Sequence, residues 1–253
     1  MMAARIFNKK QALEKEIKEL YLRGSFAYVT ATATSDLTAD IAWTSVASGP
    51  ARNTNTITIE VEAAAANPTD TVLAVFTGTA AAIVITITPN DGTNNGAVAV
   101  DLTSEELVEL VNSGAVVGKD ITLTDAGSLR ALQTATGGDE TVLVEAGEGD
   151  GVVATFSGGD VDVTFSSKYG FSDVVRTAAG EYRVDLQDEF YSLKSVKAIL
   201  IKSSGEDIRF QLKSQALSSN TFTIFSLTGA TATDPSNGSS FMLRADLKNT
   251  RQV

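Results

Sequence analysis

The chain has 253 residues, of which 43% are hydrophobic and 20% charged, and it contains no histidine and no cysteine. Without these two side chains, Ser-His-Asp and Cys-His catalysis, disulfide bonds and imidazole or thiolate metal sites are excluded. No apolar run approaches the roughly 20 residues that span a bilayer, so we expect a soluble protein made in a cytoplasm.

The formal net charge of −11 is distributed unevenly, and it divides the chain into three predicted domains. Residues 1–24 carry six basic and three acidic side chains, residues 25–167 three and nineteen, and residues 168–253 eleven and nine. The acidic middle segment repels phosphate groups and anionic lipid. We therefore expect neither nucleic acid nor a membrane as a partner.

The first segment, residues 1–24, is predicted to be an amphipathic helix. Its apolar side chains follow a heptad-like stripe, and Gly24 would end the helix; the stripe consists of Ile6, Leu13, Ile17 and Leu20. A helix this short is marginal in water by itself. It therefore either packs on its own domain or serves as an oligomerisation or attachment helix, and both interpretations remain open.

The middle segment, residues 25–167, is predicted to be a β-rich α+β domain. The sequence Thr103–Glu106 matches a capping box and begins a helix over residues 103–113. Alternating polar and apolar residues and clusters of β-formers predict strands at Ser25–Thr34, Thr56–Glu62, Thr71–Thr77, Ala82–Thr88, Gly151–Ser157 and Val161–Ser166.

An internal similarity links two of these strands. Val72–Gly78 (VLAVFTG) matches Val152–Gly158 (VVATFSG), with Phe76 aligned to Phe156. Two copies are too few for a solenoid. We interpret them as two strands that have converged on similar environments.

The last segment, residues 168–253, has longer alternating runs, which are typical of an antiparallel β-sandwich of jelly-roll type. Its five predicted strands are Glu181–Leu186, Val196–Ile201, Asp207–Lys213, Thr221–Leu227 and Phe241–Leu247. The predicted fold class is thus mainly β with a minor α part.

Three aromatic side chains are candidates for contacts between subunits. Trp43 is expected to anchor either the core or an interface. Tyr182 and Tyr191 are candidates for a subunit interface, where aromatic residues are enriched.

Carboxylates are the remaining route to catalysis or metal binding. The candidate pairs are Asp160 with Asp162, Asp139 with Glu140, and Asp188 with Glu189. The glycine-rich stretch Glu145–Gly151 has three acids but lacks the EF-hand pattern, so calcium there is an alternative to a plain acidic loop. We interpret all of these acids as solvated surface groups and predict no enzyme, no catalytic residue and no cofactor.

Several stretches resemble modules of tailed-bacteriophage virion proteins. Gly180–Val184, the strand FQLKS, the turn Ala230–Pro235 and the closing LRADLKN resemble a C-terminal β-module of such proteins. Residues 70–114 are similar to a module of phage fibre, decoration and tail proteins.

The resemblance implies a non-enzymatic structural component of the virion. We expect a capsid decoration or head-fibre protein that attaches to other virion proteins through its N-terminal part. Such modules commonly assemble as trimers, so the resemblance implies a homo-oligomer. A tail-fibre or baseplate component is the alternative within this class, and a host-glycan or receptor-binding module is the alternative from another class.

Overall fold

The computed structural model describes residues 17–66, 71–93, 99–113, 120–123, 127–143, 151–201 and 208–248. This part of the chain is mainly β with a small helical content, as the sequence predicts. In chain order, the strands of its first half are β1 (Ile17–Ser35), β2 (Ile41–Ser48), β3 (Thr56–Val61), β4 (Thr71–Thr79), β5 (Ala82–Thr88), β6 (Asn90–Asp91), β7 (Ala99–Val100), β8 (Leu102–Thr103), β9 (Asp120–Leu123), β10 (Gln133–Gly137) and β11 (Val142–Leu143).

The strands of the second half are β12 (Val152–Thr155), β13 (Asp160–Tyr169), β14 (Phe171–Ala178), β15 (Glu181–Leu186), β16 (Ser192–Ile201), β17 (Ile208–Ala216), β18 (Thr221–Thr228), β19 (Thr231–Ala232) and β20 (Ser240–Lys248). The helices are α1 (Ser104–Ser113) and α2 (Gly127–Arg130), with short 3₁₀ turns at Pro50–Arg52 and Leu217–Ser219. Neither α-helix of the described residues is long and apolar enough to cross a membrane.

The prediction of an N-terminal helix over residues 1–24 is wrong for residues 17–24, the part of this segment that the structure describes. Residues 1–16 lie outside the described part, whereas residues 17–24 form the start of β1. The side chains of Leu20, Leu22 and Phe26 are buried, while those between them face outwards. This period of two is the pattern of a half-buried strand. The predicted heptad-like stripe did not include Leu22, which is buried, and it included Ile17, whose side chain is half exposed.

The described chain forms two compact units. We call Val29–Asp160 the central unit, and residues 17–28 with 161–248 the terminal unit. The predicted division is into three consecutive segments, whereas here the first described residues and the last belong to one unit. The cause is the antiparallel pairing of β1 with β20, from Ile17 opposite Lys248 to Ser25 opposite Ser240.

The central unit is built on a five-stranded sheet in the order β12-β3-β5-β4-β9. Two of its pairings, β3 with β5 and β4 with β9, are parallel. Strands β10 and β2 and the second half of β1 pair antiparallel beside one another. Trp43, Ile57, Phe76, Ile85 and Leu107 are among the side chains that fill a common core.

Helix α1 begins at the predicted capping box. The backbone N–H of Glu106 donates to Thr103 Oγ1 at 3.2 Å, and Glu106 Oε2 accepts from the Thr103 N–H at 2.8 Å. These two bonds satisfy N–H groups that lack intrahelical partners. The buried side chains of Leu107, Leu110 and Val111 attach the helix to the core.

The two similar stretches of sequence lie in the same sheet. The first contains most of β4 and the second contains β12. Phe76 and Phe156 are both buried in the core of the central unit. The similarity in sequence therefore reflects two strands that bury side chains in the same core.

The terminal unit consists of two four-stranded antiparallel sheets. One has the order β13-β1-β20-β16, and the other has the order β14-β15-β18-β17 with β19 paired to β18. All five strands predicted for residues 168–253 are present, with ends that differ by up to four residues, whereas β14 and β19 were not predicted. Leu20, Leu243 and Leu247 of the first sheet and Tyr182 and Phe222 of the second belong to one core.

Candidate interaction surface

The sheet β13-β1-β20-β16 has one face towards the core of the terminal unit and an opposite face that is largely open. On β20, Phe241, Leu243 and Ala245 are buried, whereas Met242 and Arg244 are only partly buried. Because side chains alternate along a strand, these two residues share the opposite face. We call this face the outer face.

The pairing of the strands brings outer-face residues into rows across the sheet. Met242 is opposite Arg23 on β1 and opposite Ile199 on β16. In the next row, Arg244 is opposite Tyr21 and Lys197. The outer face is thus defined by these six residues together with Ile201.

Large apolar side chains are exposed on the outer face. Ile199 is 62% exposed, Ile201 58% and Tyr21 46%. Single exposed apolar residues are common on proteins, but a contiguous group is typical of an interaction site. Met242 on β20 lies directly beside Ile199 on β16 and diagonally from Tyr21 on β1, so the apolar side chains extend across three strands.

A cavity of about 470 Å³ opens on this face. It is lined by Tyr21, Leu22, Arg23, Ser167, Lys197, Ile199, Met242, Leu243 and Arg244. A second cavity of about 200 Å³ shares Arg23 and Met242 and extends along the sheet towards Ile201 and Ser240. The larger volume lies within the range of ligand-binding clefts.

Arg244 is neutralised by carboxylates of the same sheet. Its Nη2 donates to Glu19 Oε1 at 2.6 Å, and its Nε donates to Asp246 Oδ1 at 3.1 Å. The pKa of Asp246 is lowered by a hydrogen bond from Ser195 and then by Arg244. The Arg244 guanidinium also lies 5.8 Å from the centre of the Tyr21 ring, a cation–π distance.

The other two cations of the outer face have no such partners. Among the described residues, neither the Arg23 guanidinium nor the Lys197 ammonium forms a hydrogen bond or an ion pair. Lys197 lies close enough to Asp246 to help lower the pKa of that carboxyl, although it forms no direct ion pair with it. The outer face therefore combines an apolar centre with two cations, Arg23 and Lys197, that have no hydrogen-bonded carboxylate among the described residues.

The residues that the sequence singled out for attachment are dispersed. Ile6 and Leu13 lie outside the described residues. Ile17 is 50% exposed at the start of β1, and Tyr191 is 53% exposed just before β16. Leu20 is fully buried in the core of the terminal unit and is not available to a partner.

Trp43 is a core residue of the central unit. Its side chain is fully buried, and its indole Nε1–H donates to Ser35 Oγ at 2.8 Å. Of the two roles predicted for it, the structure places it in the core. It cannot contact a partner while the unit is folded.

Tyr182 is also fully buried, in a polar cluster around Asp234. The Asp234 carboxylate accepts from the Tyr182 hydroxyl at 2.8 Å, from the Gly180 N–H at 2.8 Å, and from Arg176 Nε and Nη2. Burial, followed by the negative charge of Asp234, raises the pKa of Tyr182 well above its ordinary value. The cluster fixes the Asp234 turn to β14 and β15, so the role of Tyr182 is internal.

Sequence reasoning missed Arg23, Lys197, Ile199 and Met242. The signal was present, since Lys197, Ile199 and Ile201 alternate with Val196, Ala198 and Leu200 along one strand. Which of the two alternating sets faces the core is not fixed by alternation alone. The sequence also does not show that β1 lies beside β20.

The carboxylate candidates show no assembled site in the described part of the chain. Asp160 and Asp162 both lie in β13. The Asp139 carboxylate accepts from the Thr141 N–H at 2.8 Å, and the Asp139 N–H donates to Ser104 Oγ at 2.9 Å. Residues 144–150 of the calcium candidate lie outside the described residues. Within the described residues, no group of three or more acidic side chains could hold a metal ion.

No protein-family model, curated protein or solved structure matches this chain. Any functional assignment must therefore be argued from its own residues.

Proposed function

We propose that this chain is a non-enzymatic structural protein of a tailed-bacteriophage particle, a capsid decoration or head-fibre protein that acts by binding other particle proteins. The resemblance of several stretches to virion modules motivates the assignment to a particle, and the outer face of the terminal unit supports a function in protein binding. This face is an exposed apolar surface on a rigid sheet whose opposite side is anchored in a core. Apolar surfaces of this kind are typical of sites where proteins bind one another.

The attachment function expected for the N-terminal part finds partial support in this surface. Tyr21 and Arg23 both belong to residues 1–24 and contribute to the outer face as part of β1. The attaching element would then be a strand within a sheet, and the candidate residues shift from the buried Leu20 to Tyr21 and Arg23.

The finer description of the terminal unit as jelly-roll-like is part of this proposal. Two four-stranded sheets around one core, with the first strand beside the last, support it. The pairs β14–β15 and β17–β18 are neighbours within one sheet. This differs from the usual jelly roll, in which successive strands alternate between sheets.

The proposal is tested on purified particles of the phage that encodes the chain. Quantitative mass spectrometry and stained gels should detect the protein at a fixed ratio to the major capsid protein. A ratio corresponding to hundreds of copies supports decoration, and a few tens or fewer support a tail position. Absence of the protein from purified particles would refute the proposal.

A variant tests whether the outer face is the attaching surface. Ile199→Asp places a charge on that face, and Val153→Asp is the matched control, because Val153 is a 56% exposed valine on β12 of the central unit. We expect Ile199→Asp to reduce the amount of protein bound to the particle, and Val153→Asp to leave it unchanged.

A further inference from the structure

The two cavities of the outer face involve fewer residues than an interface between two copies of a chain needs. They are lined by fifteen residues in total, whereas a stable protein–protein interface uses roughly 20 to 30 residues on each side. A cavity of about 470 Å³ instead suits one short segment that inserts a single large side chain.

The charges of this face select the kind of segment. Arg23 and Lys197 flank the apolar centre on different strands, and among the described residues neither forms a direct ion pair, although Lys197 interacts with Asp246 at longer range. The chain's own residues 1–16 contain four basic and two acidic residues, so they carry the wrong charge for this site. A partner with carboxylates on either side of an apolar residue has the complementary charge.

We propose that the outer face binds one extended acidic segment of another protein, with an apolar side chain inserted between Arg23 and Lys197. The inference rests on the proposed function only in taking the partner to be a protein.

The spacing of the two cations defines the segment more closely. Across the sheet, Arg23 and Lys197 are separated by two strand spacings, or about 10 Å. Along the strand direction they are separated by two residues, or about 7 Å. Their Cα atoms are therefore separated by about 12 Å. In an extended peptide, residues i and i+4 lie about 13 Å apart and point to the same side. The side chain at i+2 then faces the sheet over β20, between Met242 and Arg244.

The expected motif is acid-x-apolar-x-acid. The probe is a fluorescein-labelled peptide with glutamate at its first and fifth positions, phenylalanine at the third and serine at the second and fourth. One comparison peptide replaces both glutamates by lysine, and another replaces phenylalanine by alanine. Binding to the full-length chain is measured by fluorescence anisotropy at low and high salt.

We expect saturable binding of the glutamate–phenylalanine peptide that weakens with salt, because the ion pairs are solvent-exposed. The double variant Arg23→Glu with Lys197→Glu should weaken binding about tenfold or more, since two attractions become repulsions. Ile199→Asp should have a similar effect, because it removes the apolar contact and adds a negative charge that repels the acidic peptide. Lys194→Glu, an exposed lysine of β16 that does not line either cavity, should change binding by less than about twofold.

Three outcomes would overturn the inference. The first is equal binding of the lysine peptide, and the second is an equal effect of Lys194→Glu and the double variant. The third is a wild-type oligomer in sedimentation experiments that Ile199→Asp dissociates, since the face would then bind a second copy.

The particle experiment separates this inference from the proposed function. If Ile199→Asp is lost from particles while no peptide binds, the particle function stands and the acidic-segment inference fails. If the peptide binds as expected while purified particles lack the protein, the inference stands and the particle function fails.

Discussion

Replacing Asp234 should destabilise the terminal unit more than any other single loss of a carboxylate that we consider. The carboxylate accepts hydrogen bonds from Arg176, Gly180 and Tyr182. The side chains of Arg176 and Asp234 are only 14% and 12% exposed, so water replaces few of these bonds. Asp234→Ala would leave the guanidinium, the phenol and an amide without their acceptor.

The expected cost follows from the burial of the pair. Removing one partner of a buried ion pair costs about 3–5 kcal/mol, and the slight exposure of Arg176 favours the lower end, about 3 kcal/mol. Asp234→Asn keeps the shape and one acceptor oxygen but sets an amide NH2 against Arg176, so it should still cost about 1–3 kcal/mol. With a urea m-value of about 2 kcal/mol/M, Asp234→Ala should lower the unfolding midpoint by about 1.5 M.

Urea unfolding followed by far-ultraviolet circular dichroism measures this change. The matched control is Asp185→Ala, because Asp185 accepts from Arg183 at 2.8 Å but the Arg183 side chain is 46% exposed. Such pairs contribute little, so the midpoint of the control should stay near that of the wild type. An Asp234→Ala midpoint equal to that of Asp185→Ala would refute the assignment of the cluster as a structural centre.

Further predictions concern pH, the central core and one turn. Because the folded state raises the pKa of Tyr182 above its ordinary value of 10.0, folding favours the protonated phenol, and stability should fall as pH rises above about 10. Tyr182→Phe should flatten that alkaline decline in pH-dependent urea titrations, whereas an unchanged slope would contradict it. Ser35→Ala should lower the free energy of unfolding by about 1–3 kcal/mol, because it leaves the buried Trp43 N–H without an acceptor. Tryptophan fluorescence during urea unfolding measures this loss, and an unfolding midpoint equal to that of the wild type would exclude the bond. Gly180→Ala should lower the melting temperature far more than Gly229→Ala. Both glycines have positive φ, but only at Gly180 would an added Cβ meet backbone atoms, the nearest at 2.2 Å. Equal losses of melting temperature would show that the positive φ alone determines the cost.

The sequence by itself determined the local elements that short-range patterns control. Thr103 and Glu106 form the capping box that begins α1, because a helix start depends on residues within one turn. Alternation predicted Ala82–Thr88 and Glu181–Leu186 with their exact bounds, because a strand with one buried face must repeat every two residues. The β-rich class followed from many such runs.

Only the tertiary structure decided what residues 17–24 form and where the outer face lies. Their apolar residues fit a helical stripe as well as a strand, and pairing with β20, more than 200 residues away in sequence, selects the strand. That same pairing joins Arg23, Met242 and Ile199 in one row. Burial also separated Trp43 and Tyr182, which are internal, from the exposed Tyr21 and Ile199. Side-chain type sets the tendency to be buried, but long-range packing sets which apolar residues are left for a partner.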